Sequence, residues 1–240
     1  MTNRIAMWSG PRNISTAMMR SWENRADCTV IDEPFYAYYL QQTQSPHPLC
    51  SQIIESQPTQ FAVVSKSLSE GQCKNAVQYQ KHMTHHMLPG CDMNWTAKLQ
   101  HCFLIRDPAY VVNSYTNSRG ACTAHDIGIK RQYELWQEIG TLTQQQMPVI
   151  DSSTVLTNPE RIMRALCEAL AISFDPNMLS WPTGKRSSDG VWASHWYHSV
   201  EASTGFGATS QATFTLSKSQ LEVVEEVMPY YKKMKALAIT

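Results

Sequence analysis

The sequence has little of what nucleic-acid and membrane-surface binders use. Its 240 residues carry 20 Lys and Arg against 20 Asp and Glu, so there is no basic excess to attract a polyanion. Long apolar runs are missing as well, since no stretch reaches the roughly 18 apolar residues of a membrane span. Residues Met1 to Arg4 do not resemble the basic start of a secretion signal. We therefore expect a cytoplasmic protein with no nucleic-acid partner and no membrane partner.

Paired cysteines are also lacking. The seven cysteines include no CxxC pair, which favours scattered reduced thiols over a disulfide framework or a zinc site. His82 and His86 have the i, i+4 spacing of a helical metal pair, but no acidic third ligand accompanies them, so we predict no metal. With 42% hydrophobic residues, 10 Gly and 12 Pro, the composition is typical of one globular domain over residues 1–240.

Short apolar runs alternate with helical patterns along the chain. Five runs of strand length separated by helices predict an α/β fold, with a parallel sheet flanked by helices. These predicted strands are Arg4–Trp8, Cys28–Ile31, Ala76–Tyr79, His101–Ile105 and Met147–Ile150.

Helical periodicity is present in five segments. They are Ile14–Asn24, Tyr110–Tyr115, Gly128–Glu138, Pro159–Leu170 and Ser217–Lys235. Asn158 before Pro159 and the pair Ser217 and Gln220 supply start signals for the last two. Two segments, 41–56 and 181–214, have no clear pattern, and we expect substrate and cofactor loops there. Within the second, the aromatic segment Trp192 to His198 either lines a pocket or covers the sheet.

The first predicted strand leads through a short loop, Gly10 to Thr16, directly into a helix. A strand, a short loop and a helix N-terminus make an anion site, because the free amides of the first turn and the helix dipole both favour bound phosphate. The ATPase pattern GxxxxGK[ST] fails here, since Ser15, Thr16 and Ala17 stand where the second Gly, the Lys and the magnesium-binding hydroxyl belong. We therefore expect a metal-independent phosphate ester, with Arg12 as the cation.

Three separated motifs resemble the sulfotransferase family, enzymes that use 3′-phosphoadenosine-5′-phosphosulfate (PAPS). The first is the loop just described, which is similar to the family's 5′-phosphosulfate pattern Pro-Lys/Arg-Ser-Gly-Ser/Thr-Thr. Its cofactor-binding residues would be Arg12, Asn13, Ile14, Ser15 and Thr16, of which Asn13 and Ile14 depart from the pattern.

The other two motifs correspond to the site of the 3′-phosphate. In the second, Arg106 ends a strand and Ser114 follows eight residues later, which is the family's spacing. The third, Lys185 and Arg186 leading to Trp192, is similar to the basic-pair loop Arg-Lys-Gly-x-x-Gly-Asp-Trp. An arginine at a strand end of a parallel sheet can reach a nucleotide lying across the strand ends, and its planar fork suits a phosphate.

The resemblance implies a P-loop NTPase-like sulfotransferase fold and a defined reaction. PAPS would be the co-substrate, adenosine-3′,5′-bisphosphate (PAP) the product, and a small molecule with a hydroxyl or amine the acceptor. The family places a cation at the leaving phosphate, and Arg12 and Lys81 are the candidates. For the base that deprotonates the acceptor the candidates are Glu33, which follows the second strand and precedes a proline, and His85.

Two other functions remain open from the sequence. A P-loop kinase or nucleotide hydrolase is the first, and the failed ATPase pattern argues against it. A catalytically silent nucleotide-binding protein of the same fold is the second. Ile14, Met83 and Ser187, which replace residues of the family's motifs, keep that alternative open.

Overall fold

The computed structural model describes residues 2–207 and 213–240. In this part of the chain five strands form one sheet in the order β2-β3-β1-β4-β5, and all four neighbouring pairs are parallel. The strands are β1 (Asn3–Ser9), β2 (Cys28–Asp32), β3 (Val77–Met83), β4 (Gln100–Ile105) and β5 (Val149–Asp151). The predicted α/β class and the five-stranded parallel sheet are confirmed.

Helices connect the strands, as parallel pairing requires. The described residues contain α1 (Ser15–Glu23), α2 (Tyr36–Thr43), α3 (Cys50–Ser56), α4 (Phe61–Glu70), α5 (Pro108–Arg119), α6 (Ala124–Ile127), α7 (Ile129–Thr143), α8 (Ser152–Thr157), α9 (Pro159–Ala169), α10 (Ala193–Trp196), α11 (His198–Glu201) and α12 (Lys218–Lys235). Short 3₁₀ helices cover Thr84–His86, Asn94–Lys98 and Pro176–Leu179.

The predicted starts of the last two long helices are correct. The Asn158 side chain accepts a hydrogen bond from the Arg161 amide at the start of α9. Ser217 and Gln220 form a reciprocal capping box at the start of α12. Each cap satisfies amides that the first helical turn leaves without a partner.

The sheet buries both of its faces, which is why its strands contain nearly continuous apolar runs. Along β1, Ile5 and Met7 pack into one core cluster and Ala6 and Trp8 into the cluster on the opposite face. All four side chains have no exposed surface. The helices thus cover the sheet from both sides and leave its carboxyl edge for the site.

Strand β3 differs from its predicted position. The prediction ended at Tyr79, but the strand continues to Met83 and pairs with β1 up to Ser9. The missed half contains Gln80, Lys81 and His82, which are polar and yet at most 1% exposed. Lys81 therefore lies inside the central sheet, not just past a strand end, and His82 is in the strand, not on a helix.

The segment 41–56 is more ordered than expected. It contains the end of α2 and all of α3, in which Ile53 is fully buried. In the second unassigned segment, the described part contains α10 and α11, and residues 208–212 lie outside the described residues. All seven cysteines are free thiols. No helix among the described residues has both the length and the apolar character needed to cross a membrane.

Candidate active site

A cavity of about 420 Å³ opens at the carboxyl edge of the sheet, above β1, β2 and β3. β1 lies between β3 and β4. After β1 the chain forms β2 and β3 on one side of this strand and then β4 and β5 on the other, and ligands of open α/β sheets bind where the strand order reverses in this way. The predicted site residues among its lining are Arg12, Asn13, Ile14, Ser15, Thr16, Glu33, Lys81, His85, Arg106 and Ser114.

The loop between β1 and α1 wraps closely around the start of the helix. A Cβ at Gly10 would collide with the carbonyl oxygen of Ile127, so only glycine fits there. Arg12 and Ile14 both adopt the left-handed backbone conformation, with φ of 62° and 57°. Between them, Asn13 Nδ2 donates to the Leu104 carbonyl at 3.1 Å and ties the loop to β4. The loop is thereby held with the first amides of α1 facing the cavity.

Arg12 and Arg106 lie together beside this loop. Arg12 Nε donates to Ser114 Oγ at 2.9 Å, and Arg106 Nη1 donates to the Arg12 carbonyl oxygen at 2.6 Å. Burial lowers the pKa of both arginines, and the Arg12 charge lowers the pKa of Arg106 further. Within the described ranges neither side chain forms an ion pair. Two adjacent, uncompensated cations favour a bound anion.

A second cavity of about 430 Å³ adjoins the first at the same arginines. Arg12, Arg106, Ser114 and Ser118 line both cavities, and Tyr110 lines only the second. The Arg106 guanidinium lies 5.7 Å from the centre of the Tyr110 ring. The arginine pair can therefore be reached from two sides, which suits a ligand longer than a single phosphate.

Lys81 is the centre of a buried polar cluster. Its Nζ donates to Asp32 Oδ1 at 2.9 Å, to Glu33 Oε1 at 2.7 Å and to the Tyr197 hydroxyl at 2.6 Å. The Tyr197 hydroxyl in turn donates to Asp32 and accepts from Trp192 Nε1 at 3.0 Å. Burial opposes the charge of Lys81, but the two carboxylates outweigh it and hold the pKa of Lys81 well above its usual value. All three protons of the ammonium group are already donated to protein oxygens.

Glu33 lies at the end of β2 with its carboxylate beside Lys81. Its φ of 39° is unusual for a residue with a side chain, and three hydrogen bonds to its backbone hold it there. Its amide donates to the Lys81 carbonyl, and its carbonyl accepts from the Tyr36 amide and from the Gln57 side chain. Burial raises the pKa of Glu33, and Lys81 opposes that rise. The geometry gives a carboxylate at the cavity wall, fixed by one neighbouring cation.

The histidines of the 82–86 segment point to different places. His82 stacks on Trp8 at 4.5 Å on one face of the sheet, whereas His86 stacks on Tyr36 at 4.6 Å on the cavity side. His85 also lines the cavity, and burial lowers its pKa to about 3. In the part of the chain that the structure describes, no three His, Cys, Asp or Glu side chains are grouped as metal ligands.

Comparison with known proteins decides the family, because the sulfotransferase domain profile matches residues 3–238. The chain belongs to the sulfotransferase family. The family expected from the sequence is thus confirmed.

Two solved structures share the fold of this chain. The sulfotransferase domain of the curacin biosynthetic pathway aligns with a TM-score of 0.55 at 15% identity, over 95% of this chain and 98% of that domain. The sulfotransferase of Alicyclobacillus acidocaldarius aligns with a TM-score of 0.61 at 9% identity, over 99% and 96% of the two chains. The predicted sulfotransferase fold is confirmed.

Two longer plant proteins match this chain in sequence. Branched-chain-amino-acid aminotransferase-like proteins 1 and 2 of Arabidopsis thaliana are 30% identical over 234 residues and 29% identical over 229 residues. The alignments cover 97% and 95% of this chain but only 41% and 40% of the relatives. The chain therefore spans about two fifths of their length, and their name describes the full-length plant proteins.

The fold does not bring Lys185 and Arg186 to the arginine pair. Arg186 lies at the far end of α1, where its Nε is 3.7 Å from Glu23 Oε2 and its amide donates to Asp189. Neither residue of the basic pair lines the two cavities. The local cause is an ion pair between buried Arg20 and Asp189 at 2.7 Å, which fixes this loop on α1.

The aromatic segment does both things that the sequence left open. Trp192 is 1% exposed and covers the core, whereas Trp196 and Tyr197 line the cavity. One further cavity residue, Arg119 at the end of α5, belongs to none of the motifs. A lone arginine at a helix end has no distinguishing pattern, so sequence reasoning had no means of finding it.

Proposed function

We propose that the protein moves a sulfuryl group from PAPS to a hydroxyl or amine of a small acceptor without a metal. The observation that carries the proposal is the pair Arg12 and Arg106, two cations without a described carboxylate partner at the N-terminus of α1. The family match supports a sulfuryl donor as the anion that they bind. Glu33 on the same cavity wall supplies a base.

The residues present fit a nucleotide with two separate anionic groups. For the 5′ end, the amides of Ser15 and Thr16 open α1, whose first turn contains no acidic residue. For the 3′ end, the Arg106 guanidinium and the Ser114 hydroxyl lie at the boundary of the two cavities. Asn13 Oδ1 is buried with no hydrogen-bond partner among the described residues. Because an amide oxygen only accepts, it suits a hydroxyl or amino group of the nucleotide and not a phosphate.

When bound, PAPS would supply the sulfuryl group and a 5′-phosphate that takes up the electron pair of the broken S–O bond. Arg12 and the first amides of α1 stabilise negative charge at that position, which lowers the barrier for an in-line displacement. Glu33 takes the proton of the acceptor. Because Oε1 of Glu33 is held by Lys81, Oε2 is the atom available for the proton.

Lys81 has a different task in this proposal from the one its sequence position indicated. To contact a leaving phosphate its ammonium would have to release Asp32, Glu33 or Tyr197. We assign Lys81 to positioning, because it keeps Glu33 ionised and directed into the cavity. Arg12 remains the cation at the leaving group.

Replacing Arg106 tests the cofactor directly. Arg106→Ala should weaken PAP binding by about 2 to 3 kcal/mol, or roughly 30- to 150-fold, because it removes a charged partner of the 3′-phosphate. Binding of AMP, which has no 3′-phosphate, should change little. Isothermal titration calorimetry measures both ligands, and Arg164→Ala, at an exposed arginine on α9, is the matched control. Equal losses of affinity for PAP and AMP would show that Arg106 does not bind the 3′-phosphate.

Metal chelation tests the reaction class. Thr16 and Ala17 occupy the positions at which a Mg-triphosphate loop needs Lys and Ser or Thr. We therefore expect the rate of PAP formation from PAPS, measured with a panel of small acceptors, to be unchanged by EDTA. An activity that appears only with added Mg²⁺ and ATP would place the protein with the kinases.

A further inference from the structure

Arg119 presents a cation to the main cavity away from the arginine pair. It is the last residue of α5, five residues and about 7.5 Å along the helix from Ser114, which contacts Arg12. Its guanidinium carbon lies 5.0 Å from the ring centre of Trp196. Its Nε is buried and has no hydrogen-bond partner among the described residues. The side chain is thus held against an aromatic wall with a donor left over.

No described carboxylate is paired with Arg119. Arg119 takes part in none of the ion pairs within residues 2–207 and 213–240. Asp126, on the next helix, is engaged in its own cap, where its Oδ2 accepts from the amide and the hydroxyl of Thr123 at 2.8 Å each. Glu33 is bound by Lys81. An anion from outside the described chain is the partner that this site lacks.

The groups around Arg119 are uncharged at neutral pH. Burial is the main reason why the pKa of His47 is lowered to about 4 and that of His85 to about 3, and the charge of Arg119 is a smaller cause at both. The hydroxyl of Tyr36 lies 2.7 Å from His47 Nδ1, and burial raises its pKa above the usual value. Arg119 is therefore the charged group of a wall that is otherwise aromatic and neutral.

We propose that the sulfuryl acceptor is itself an anion, a small hydroxyl- or amine-bearing molecule whose carboxylate or phosphate group is bound by Arg119. This inference rests on the proposed function, because it assumes that Arg12 and Arg106 are occupied by the donor. A guanidinium of this kind gains a charge-assisted hydrogen bond from an anion and gains much less from a neutral group. The aromatic rings beside it would hold the apolar body of the acceptor.

The test compares charged and neutral probes of the same size. Phenylacetate, phenyl phosphate and phenylacetamide are titrated by calorimetry into the full chain saturated with PAP. We expect at least one of the two anions to bind at least tenfold more tightly than the amide, and the stronger anion identifies the group. Arg119→Gln should abolish that preference, Arg119→Lys should retain part of it, and Arg164→Gln should leave it unchanged. PAP affinity should stay the same in all three variants.

Three results would overturn the inference. They are equal binding of the amide and both anions, no binding of either anion, and an Arg119→Gln variant that loses PAP affinity instead of the anion preference. If Arg119→Gln does not fold, comparing the probes on the unaltered protein and on Arg119→Lys still shows whether Arg119 binds the anion. Failure of PAP to bind would contradict the proposed function instead, and the same titrations without PAP would then test Arg119 by itself.

Discussion

Glu33→Gln should lower kcat by about 10² to 10⁴-fold, which is what a positioned proton acceptor commonly contributes. Glutamine keeps the shape and can still accept the hydrogen bond from Lys81 through its carbonyl oxygen, but it cannot take the acceptor's proton. PAP affinity should remain nearly intact, because Glu33 is not among the residues assigned to the phosphates. Steady-state rates and calorimetry on the same preparation measure the two effects.

His85→Asn is the matched comparison, since His85 lines the same cavity. We expect it to act on KM if it acts at all. Near-normal turnover in Glu33→Gln combined with loss of activity in His85→Asn would assign the base to the histidine. Glu33 would then be a residue that only holds Lys81.

The pH profile separates the two bases independently. Activity should rise with pH through the pKa of the free base, because only the deprotonated form accepts a proton. For Glu33 that limb should lie above the usual glutamate value, since burial raises its pKa. For His85 it would lie at about 3, because burial lowers the pKa of this imidazole far below the usual 6.5. The acidic limb of the pH profile of kcat/KM should therefore have its midpoint above pH 4.5, and Glu33→Gln should remove this limb.

Lys81→Met should destabilise the fold by about 3 to 5 kcal/mol, the usual cost of removing one partner of a buried ion pair. Lys81 and Asp32 each have only 1% of their side chain exposed, and the variant leaves Asp32 and Glu33 without their cation. Urea denaturation measures the loss in free energy of unfolding. The stability difference between the variant and the unaltered protein should become smaller as the pH falls. Burial already raises the pKa of Glu33, so this carboxylate becomes neutral and no longer needs a cation.

A control for this variant removes the carboxylate charges that lose their cation. Removing the carboxylates as well, in the triple variant Lys81→Met, Asp32→Asn and Glu33→Gln, should recover part of the lost stability. Lys98→Met, at an exposed lysine paired with Glu70, should cost less than about 1 kcal/mol. If Lys81→Met were as mild as Lys98→Met, the buried cluster would not hold the carboxyl edge together.

Much of the fold could be predicted because local signals and burial agree. β1 and β4 are apolar runs buried on both faces, and the caps at Asn158 and Ser217 mark helix starts that need no distant partner. The second half of β3 was not predicted, for the opposite reason. Its residues Gln80 to His82 are polar, and tertiary contacts compensate their burial. Lys81 is bound by Asp32 and Glu33, Gln80 donates to Leu68 and Gln78, and His82 contacts Gln80 and Trp8. Such long-range pairing leaves no periodicity in the sequence.

The candidate site likewise contains residues whose place could be predicted from the sequence and residues whose place could not. Arg12, Glu33 and Arg106 come together because each lies within three residues of the end of a parallel strand, and the carboxyl ends of such strands share one edge. Arg186 is placed by its ion pair with Glu23 on α1, and Arg119 by its contact with Trp196. These tertiary contacts join residues far apart in the chain, so motif spacing could not indicate where these side chains lie.

Thermal unfolding with PAP and with AMP tests the central claim, that the edge of the sheet holds a nucleotide with a second phosphate. The two ligands differ only in the 3′-phosphate, the group assigned to Arg106 and Ser114. At equal concentrations PAP should raise the melting temperature well above the value with AMP, because a ligand stabilises the folded state in proportion to the logarithm of its affinity. Equal shifts from the two ligands, or no shift from either, would contradict the account.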